Sequence, residues 1–288
     1  MKTITLLAAS LAASLLVSCE HLDNTETSSA VQKTQTKSIT FHLQSDLSVE
    51  KTTRATLASA SVTDILVIDR MDGDIVQTIS RSSTNNDFDS PTLSLAYGTH
   101  QLTFIAHRSE GATFSPDAFT WTANRIRDTY VLQQDITANA DTPDDITVQL
   151  ARQVYQLKFL VNDALPASLA TVRIRVTDYY PTLLLTNLNA EGRTTLSRDI
   201  TVPSSALGTT GIFFSVYGFC PTHQTEYTTA VSIDFLTSAG TSIVSHTLPS
   251  VPLETNCTTT ISGNFFQQEH QAMLSVDTDW GTEKNISL

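Results

Sequence analysis

The most reactive side chains in this 288-residue chain are three cysteines, Cys19, Cys220 and Cys257. Cys19 closes an apolar run, residues 4–17 "ITLLAASLAASLLV", that follows the positive charge of Lys2. That is the layout of a secretory signal, and the run is too short to span a bilayer. It ends in Leu16-Val17-Ser18-Cys19, a lipobox pattern. The chemistry expected there is alkylation of the Cys19 thiol by a diacylglycerol, cleavage between Ser18 and Cys19, and acylation of the new amino terminus. Several acyl chains, at ~0.8 kcal/mol per buried methylene, anchor stably where one chain holds only marginally.

The other two cysteines have no His or Asp at metal-ligand spacing nearby, so no metal site is expected. Outside the cytosol a Cys220–Cys257 disulfide is allowed, and two buried thiols on adjacent strands are the alternative. The histidines His21, His42, His100, His107, His223, His246 and His270 form no H-E-x-x-H and no close pair. His42 and His246 sit in alternating segments and read as polar-face residues. No G-x-S-x-G elbow or Gly-rich phosphate loop occurs. "DRMDGD", residues 69–74, lacks calcium-loop spacing and reads as a hairpin turn. Trp121, Tyr179, Tyr180 and Trp280 offer a sugar platform, or else core and interface packing. No catalytic residue and no cofactor is therefore assigned, and a non-enzymatic role is expected. A formal net charge of −12 repels phosphate backbones, so nucleic acid is not an expected partner.

Alternation with period two sets the fold class. "SITFHLQS" puts Ile39, Phe41 and Leu43 on one face. "VTDILVIDR" and "DIVQTIS" flank Met71-Asp72-Gly73 as a hairpin, and "TLSLAYGTHQLTFIAHR" carries two strands around Gly98. In "ATVRIRVTD", Val172, Ile174 and Val176 alternate with Arg173 and Arg175. "SPDAFTWTANRIRDTYV", residues 115–131, is ambiguous and allows a short helix. No heptad or long amphipathic helix is evident, so the chain reads as all-β with sandwich-like strand spacing. The expected organisation is a signal over 1–18, a polar tether over 19–37, one β-sandwich over 38–148 and a second over 149–288. The tether is rich in Thr, Ser, Gln and charge, and buries too little to fold alone.

Taken together, the lipobox, the Thr/Ser-rich tether, "YGTHQLTFIAH", "VQLARQVYQLKFLV" with its Leu-x-Arg-x-x-Tyr pattern, "TTISGNFF" and "VDTDWG" resemble the fimbrillin-type fimbrial lipoproteins of the Bacteroidales. The anchor and minor-subunit branch is the nearest. The resemblance implies two transthyretin-like Greek-key sandwiches. It implies lipid anchoring on the outer membrane, surface exposure or incorporation in a fimbrium, and adhesion to a host or bacterial surface ligand. Its partners would be other fimbrial subunits, joined by β-strand addition. Stalk subunits of that family lose a first strand to an arginine-specific protease, whereas anchors keep theirs. Here "KTTRAT" places Arg54 and Ala55 just after the first candidate strand, as a trimming site or simply an exposed loop. The C-terminal "AMLSVDTDWGTEKNISL" reads as a final sheet strand, with a donated strand as the alternative. A separate functional reading is a glycan-binding surface lipoprotein serving polysaccharide uptake.

Overall fold

Short alternating segments of β-branched and aromatic residues bury one face each, and only pairing of their edges satisfies their backbones. The computed structural model describes residues 35–45, 62–108, 111–221 and 224–267, and the strand backbone of 273–277 and 283–287. Residues Gln35–Leu288 group as one compact unit. Its first half contains β1 (Thr36–Ser45), β2 (Asp64–Met71), β3 (Asp74–Ser82), β4 (Thr92–Ala96), β5 (Gly98–His107), β6 (Ala112–Phe114), β7 (Ala118–Trp121), β8 (Thr129–Ala138) and β9 (Asp145–Arg152). Its second half contains β10 (Val154–Val161), β11 (Thr171–Tyr179), β12 (Thr182–Leu184), β13 (Ala190–Glu191), β14 (Thr194–Thr201), β15 (Ile212–Phe219), β16 (Glu226–Leu236), β17 (Ser242–Glu254), β18 (Thr258–Gly263), β19 (Met273–Asp277) and β20 (Glu283–Ser287).

The two halves repeat one topology. The first orders its strands β3-β2-β5-β8 and β9-β1-β4, and the second β14-β11-β16-β17 and β18-β10-β15. In each, the first strand is antiparallel to the fourth of the set and parallel to the last: β1 between β4 and β9, β10 between β15 and β18. This is the pair of all-β sandwiches the resemblance implies. In the first half, a short β8–β9 contact joins the two groups into one seven-stranded sheet. In the second, β19 pairs with β18 and β20 with β19, so "MLSVD" is a sheet strand.

The hairpin at Met71 closes through Asp72 and Gly73, both at positive φ (53° and 91°), which suits an Asp-Gly two-residue turn. Residues 118–121 form β7 and only one 3-10 turn follows, Thr122–Asn124, in place of a short helix. The reason is tertiary. β7 pairs with β12, 64 to 66 residues on, in a small sheet ordered β13-β12-β7-β6. That sheet joins residues of both halves.

The core falls into two clusters. One holds Ile39, Phe41, Leu43, Ile65, Val67, Leu102, Phe104, Val148 and Leu150 inside the first sandwich. The other holds the interior of the second, including Tyr155, Phe159, Ile174 and Ile233, and also takes in Leu66, Ile68, Ile105, Phe119 and Trp121. β2 therefore buries both faces, which explains its unbroken Ile-Leu-Val-Ile run. β9 spans the expected domain boundary at 148/149. Its ladder with β1 runs to Leu150 and its contact with β8 to Arg152, and β10 starts at Val154.

Candidate functional site

β1 is an inserted strand whose sheet neighbours, β4 and β9, are both far from it in sequence. Its antiparallel register with β4 runs from Thr36↔Ala96 to Thr40↔Thr92, and its parallel register with β9 from Thr40↔Asp145 to Ser45↔Leu150. Thr40 N–H donates to Asp144 O (2.7 Å), Phe41 N–H to Pro91 O (3.0 Å) and Leu43 N–H to Asp89 O (2.8 Å). Its solvent face is tied across the strands by His42–Asp145 (3.0 Å) and the Thr40–Thr92 hydroxyls (2.9 Å), and near its start Lys37 pairs with Asp144 (2.6 Å).

The inner face carries the energy. Ile39, Phe41 and Leu43 are each 3% exposed or less. Burying such side chains is worth about 1.5–3 kcal/mol each, roughly 5–9 kcal/mol together as an upper figure. A whole domain is stable by only about 5–15 kcal/mol. The slot between β4 and β9 must therefore hold a strand with apolar residues at alternate positions, whichever chain supplies it.

The Leu-x-Arg-x-x-Tyr pattern lies where one sandwich passes to the other. Leu150 and Tyr155 are both fully buried, Leu150 in the first core and Tyr155 in the second. Between them Arg152 makes a two-pronged pair with Asp128 (2.7 and 2.9 Å), donates to the Tyr130 hydroxyl and lies 4.8 Å from that ring's centroid. Burial pushes the Tyr130 phenol well above its usual range, with the Asp128 charge adding to it.

A buried pair that sequence reading missed is Asp69–His100. His100 Nδ1 meets Asp69 Oδ1 at 2.7 Å and Nε2 donates to Ala96 O at 2.8 Å. Burial raises the Asp69 carboxyl and the His100 contact partly offsets that. An aspartate within an apolar strand run was the available signal.

The remaining expected site residues separate clearly. Ser18, Cys19, Arg54, Ala55 and Trp280 lie outside the described residues. Cys220 and Cys257 are two buried thiols with no disulfide between them. The Cys220 thiol donates to Thr225 O (3.3 Å) and Leu253 O (3.7 Å), and burial pushes it up to about 11. Trp121 and Tyr179 are core residues, at 4% and 0% exposed, so they make no sugar platform. His42 is a polar-face residue of β1, whereas His246 is half-buried and meets Phe265 O at 2.9 Å. Among the described residues, no three His, Cys, Asp or Glu side chains converge to hold a metal ion.

Comparison with known proteins adds three findings. The profile described as "Family of unknown function (DUF6562)" matches residues 82–288. No curated protein matches the sequence. Among solved structures, the chain is similar to a candidate polysaccharide-binding protein (DUF1812) from Bacteroides thetaiotaomicron, with TM-score 0.57 at 10% identity over 87% of this chain and 98% of that one. It is similar to a candidate adhesin from Bacteroides ovatus, with TM-score 0.51 at 9% identity over 82% and 88%. It is also similar to the fimbrial anchor protein Mfa2 from Porphyromonas gingivalis, with TM-score 0.50 at 7% identity over 88% and 100%. At these identities the likeness is one of fold.

Proposed function

The chain belongs to the family of unknown function DUF6562, and we propose that this member is a cell-surface fimbrial anchor or minor-subunit lipoprotein. The observation that carries the reading is β1. The first described strand, directly after the polar tether, fills the slot between β4 and β9 and supplies Ile39, Phe41 and Leu43 to the core. A subunit that keeps its own strand there cannot accept one in the same slot, which is the property of a fibre's terminal member. The likeness in fold to a fimbrial anchor protein supports the same reading.

In this account Cys19 is acylated after cleavage behind Ser18, and the residues between Cys19 and β1, which begins at Thr36, span the distance from the outer membrane. The segment at Arg54-Ala55 is left uncut, so lipid and β1 stay together on one chain. The protein has no catalytic role. It holds other subunits by strand addition outside the filled β1 slot, where ladder hydrogen bonds give affinity and alternate side chains give specificity. Mass spectrometry of sheared surface fibres, with fibre length measured after gene deletion, tests it. The protein is expected as a minor fibre component whose loss changes fibre length or retention. Its absence from every fibre, with length unchanged, contradicts the proposal.

A further inference from the structure

A cavity of about 310 Å³ opens where the link between the sandwiches meets the loops of the second. Gln153, the single residue between β9 and β10, lines it together with Asn189 from the β12–β13 turn, Gln224 from the β15–β16 loop and Thr255 from the β17–β18 turn. The size falls at the lower end of small-ligand pockets, roughly 300–1,000 Å³. Its place also fits, since such sites favour domain junctions and loops set on a rigid scaffold.

The chemistry of the wall is selective. None of the described residues that line it is charged. Phe219 and Leu183, each 1% exposed, contribute apolar surface. The side-chain amides of Gln153, Asn189 and Gln224 make no hydrogen bond with other described residues. Cys220 stands in the same wall as a neutral thiol, since burial holds its pKa at about 11. Among the described lining residues an anion finds no cation and a cation no carboxylate. A wholly apolar ligand would strip water from three amides without replacing their hydrogen bonds. An extended peptide is better served by an open sheet edge than by a pit closed by loops. A sugar supplies both halves of the match: hydroxyls that donate and accept, and ring C–H groups that pack on apolar surface.

We propose that this cavity binds a neutral carbohydrate, one terminal sugar residue or two, with Gln153, Asn189 and Gln224 bonding its hydroxyls. The site is separate from the β1 slot, and the inference does not rest on the assembly role.

The test uses the full chain on a printed array of neutral, sialylated and sulfated glycans. Saturation-transfer NMR with galactose, mannose, fucose and N-acetylglucosamine follows. Neutral glycans are expected to bind, and Asn189→Ala with Gln224→Ala to weaken binding roughly tenfold or more. A second variant, Asn189→Trp, fills the cavity and is expected to abolish binding while the thermal melt stays within the wild-type range. Three results overturn the proposal: no glycan bound, binding confined to charged glycans, or neutral-sugar binding that survives both variants. Capture of peptides from a library in place of every sugar overturns it as well.

Discussion

Phe41 of β1 packs against Phe104 of β5 with ring centroids 5.2 Å apart, tilted at 52°. This contact fastens the inserted strand to the opposite layer of the first sandwich. Phe41→Ala is predicted to lower stability by about 3–5 kcal/mol, the usual cost of a phenylalanine-sized core truncation. Urea unfolding checks it. Thr40→Ala, which loses only the exposed hydroxyl pair with Thr92, is predicted to change stability by less than about 1 kcal/mol.

Because the slot rather than the covalent link carries the energy, a chain beginning at Ala55 should be restored by a peptide. Adding residues 35–45 as a synthetic strand is predicted to raise the thermal midpoint of the shortened protein. The same peptide with Phe41→Asp is predicted to leave it unchanged. Hydrogen exchange at β4 and β9 gives an independent reading, with protection returning only with the native peptide.

Arg152 is predicted to be the most sensitive charged residue at the passage between sandwiches. Its side chain is 5% exposed and its pair with Asp128 is two-pronged. Arg152→Ala leaves the half-buried Asp128 carboxylate uncompensated, at a cost of roughly 3–5 kcal/mol. Arg152→Lys keeps the charge but loses the fork, so it should fall between Ala and wild type. Chemical denaturation of the three proteins gives the order.

The Asp69–His100 pair predicts a pH dependence. Burial raises the Asp69 carboxyl above its ordinary 3.8, so the folded protein binds that proton more tightly than the unfolded chain. The stabilising contribution is complete below 3.8 and is lost as pH rises through the folded value. Asp69→Asn has no such proton. The stability of wild type minus that of Asp69→Asn is therefore predicted to fall as pH increases from about 4. A flat difference would contradict it. A difference curve is needed because Asp87 and Asp199, held low chiefly by their hydrogen bonds to Arg81 and Arg173, act in the opposite sense.

In a Cys19→Ser variant, Cys220 and Cys257 are predicted to titrate as two thiols once the protein is unfolded without reductant, and to resist alkylation while folded. Both are buried, and the Cys220 thiolate is disfavoured by a pKa of about 11. Ellman titration in guanidinium counts them. No reactive thiol would mean that they pair.

Strand identity was legible wherever a segment is long and buries one face, as with Ile39-Phe41-Leu43 and with Val172-Ile174-Val176 against Arg173 and Arg175. The arginines do stay outward, Arg173 pairing with Asp199 at 2.6 Å and Arg175 with Asp234. The Asp72-Gly73 turn was legible because its chemistry is local. What escaped notice depends on distant partners. β7 has four residues, too few for a period, and exists because Phe119 meets Leu183 across the small sheet. The end of β9 at Arg152 is likewise set by its partners β1 and β8, since its own alternation continues unbroken. The cavity around Gln153, Asn189 and Gln224 joins residues from separate loops, and no spacing announces it.

The most direct measurement is the mass of the N-terminal peptide of the mature protein isolated from its native cells. The account predicts a peptide beginning at an acylated Cys19 and continuous with Ile39, Phe41 and Leu43. A mature protein beginning at Ala55, without lipid and without its own first strand, would contradict it.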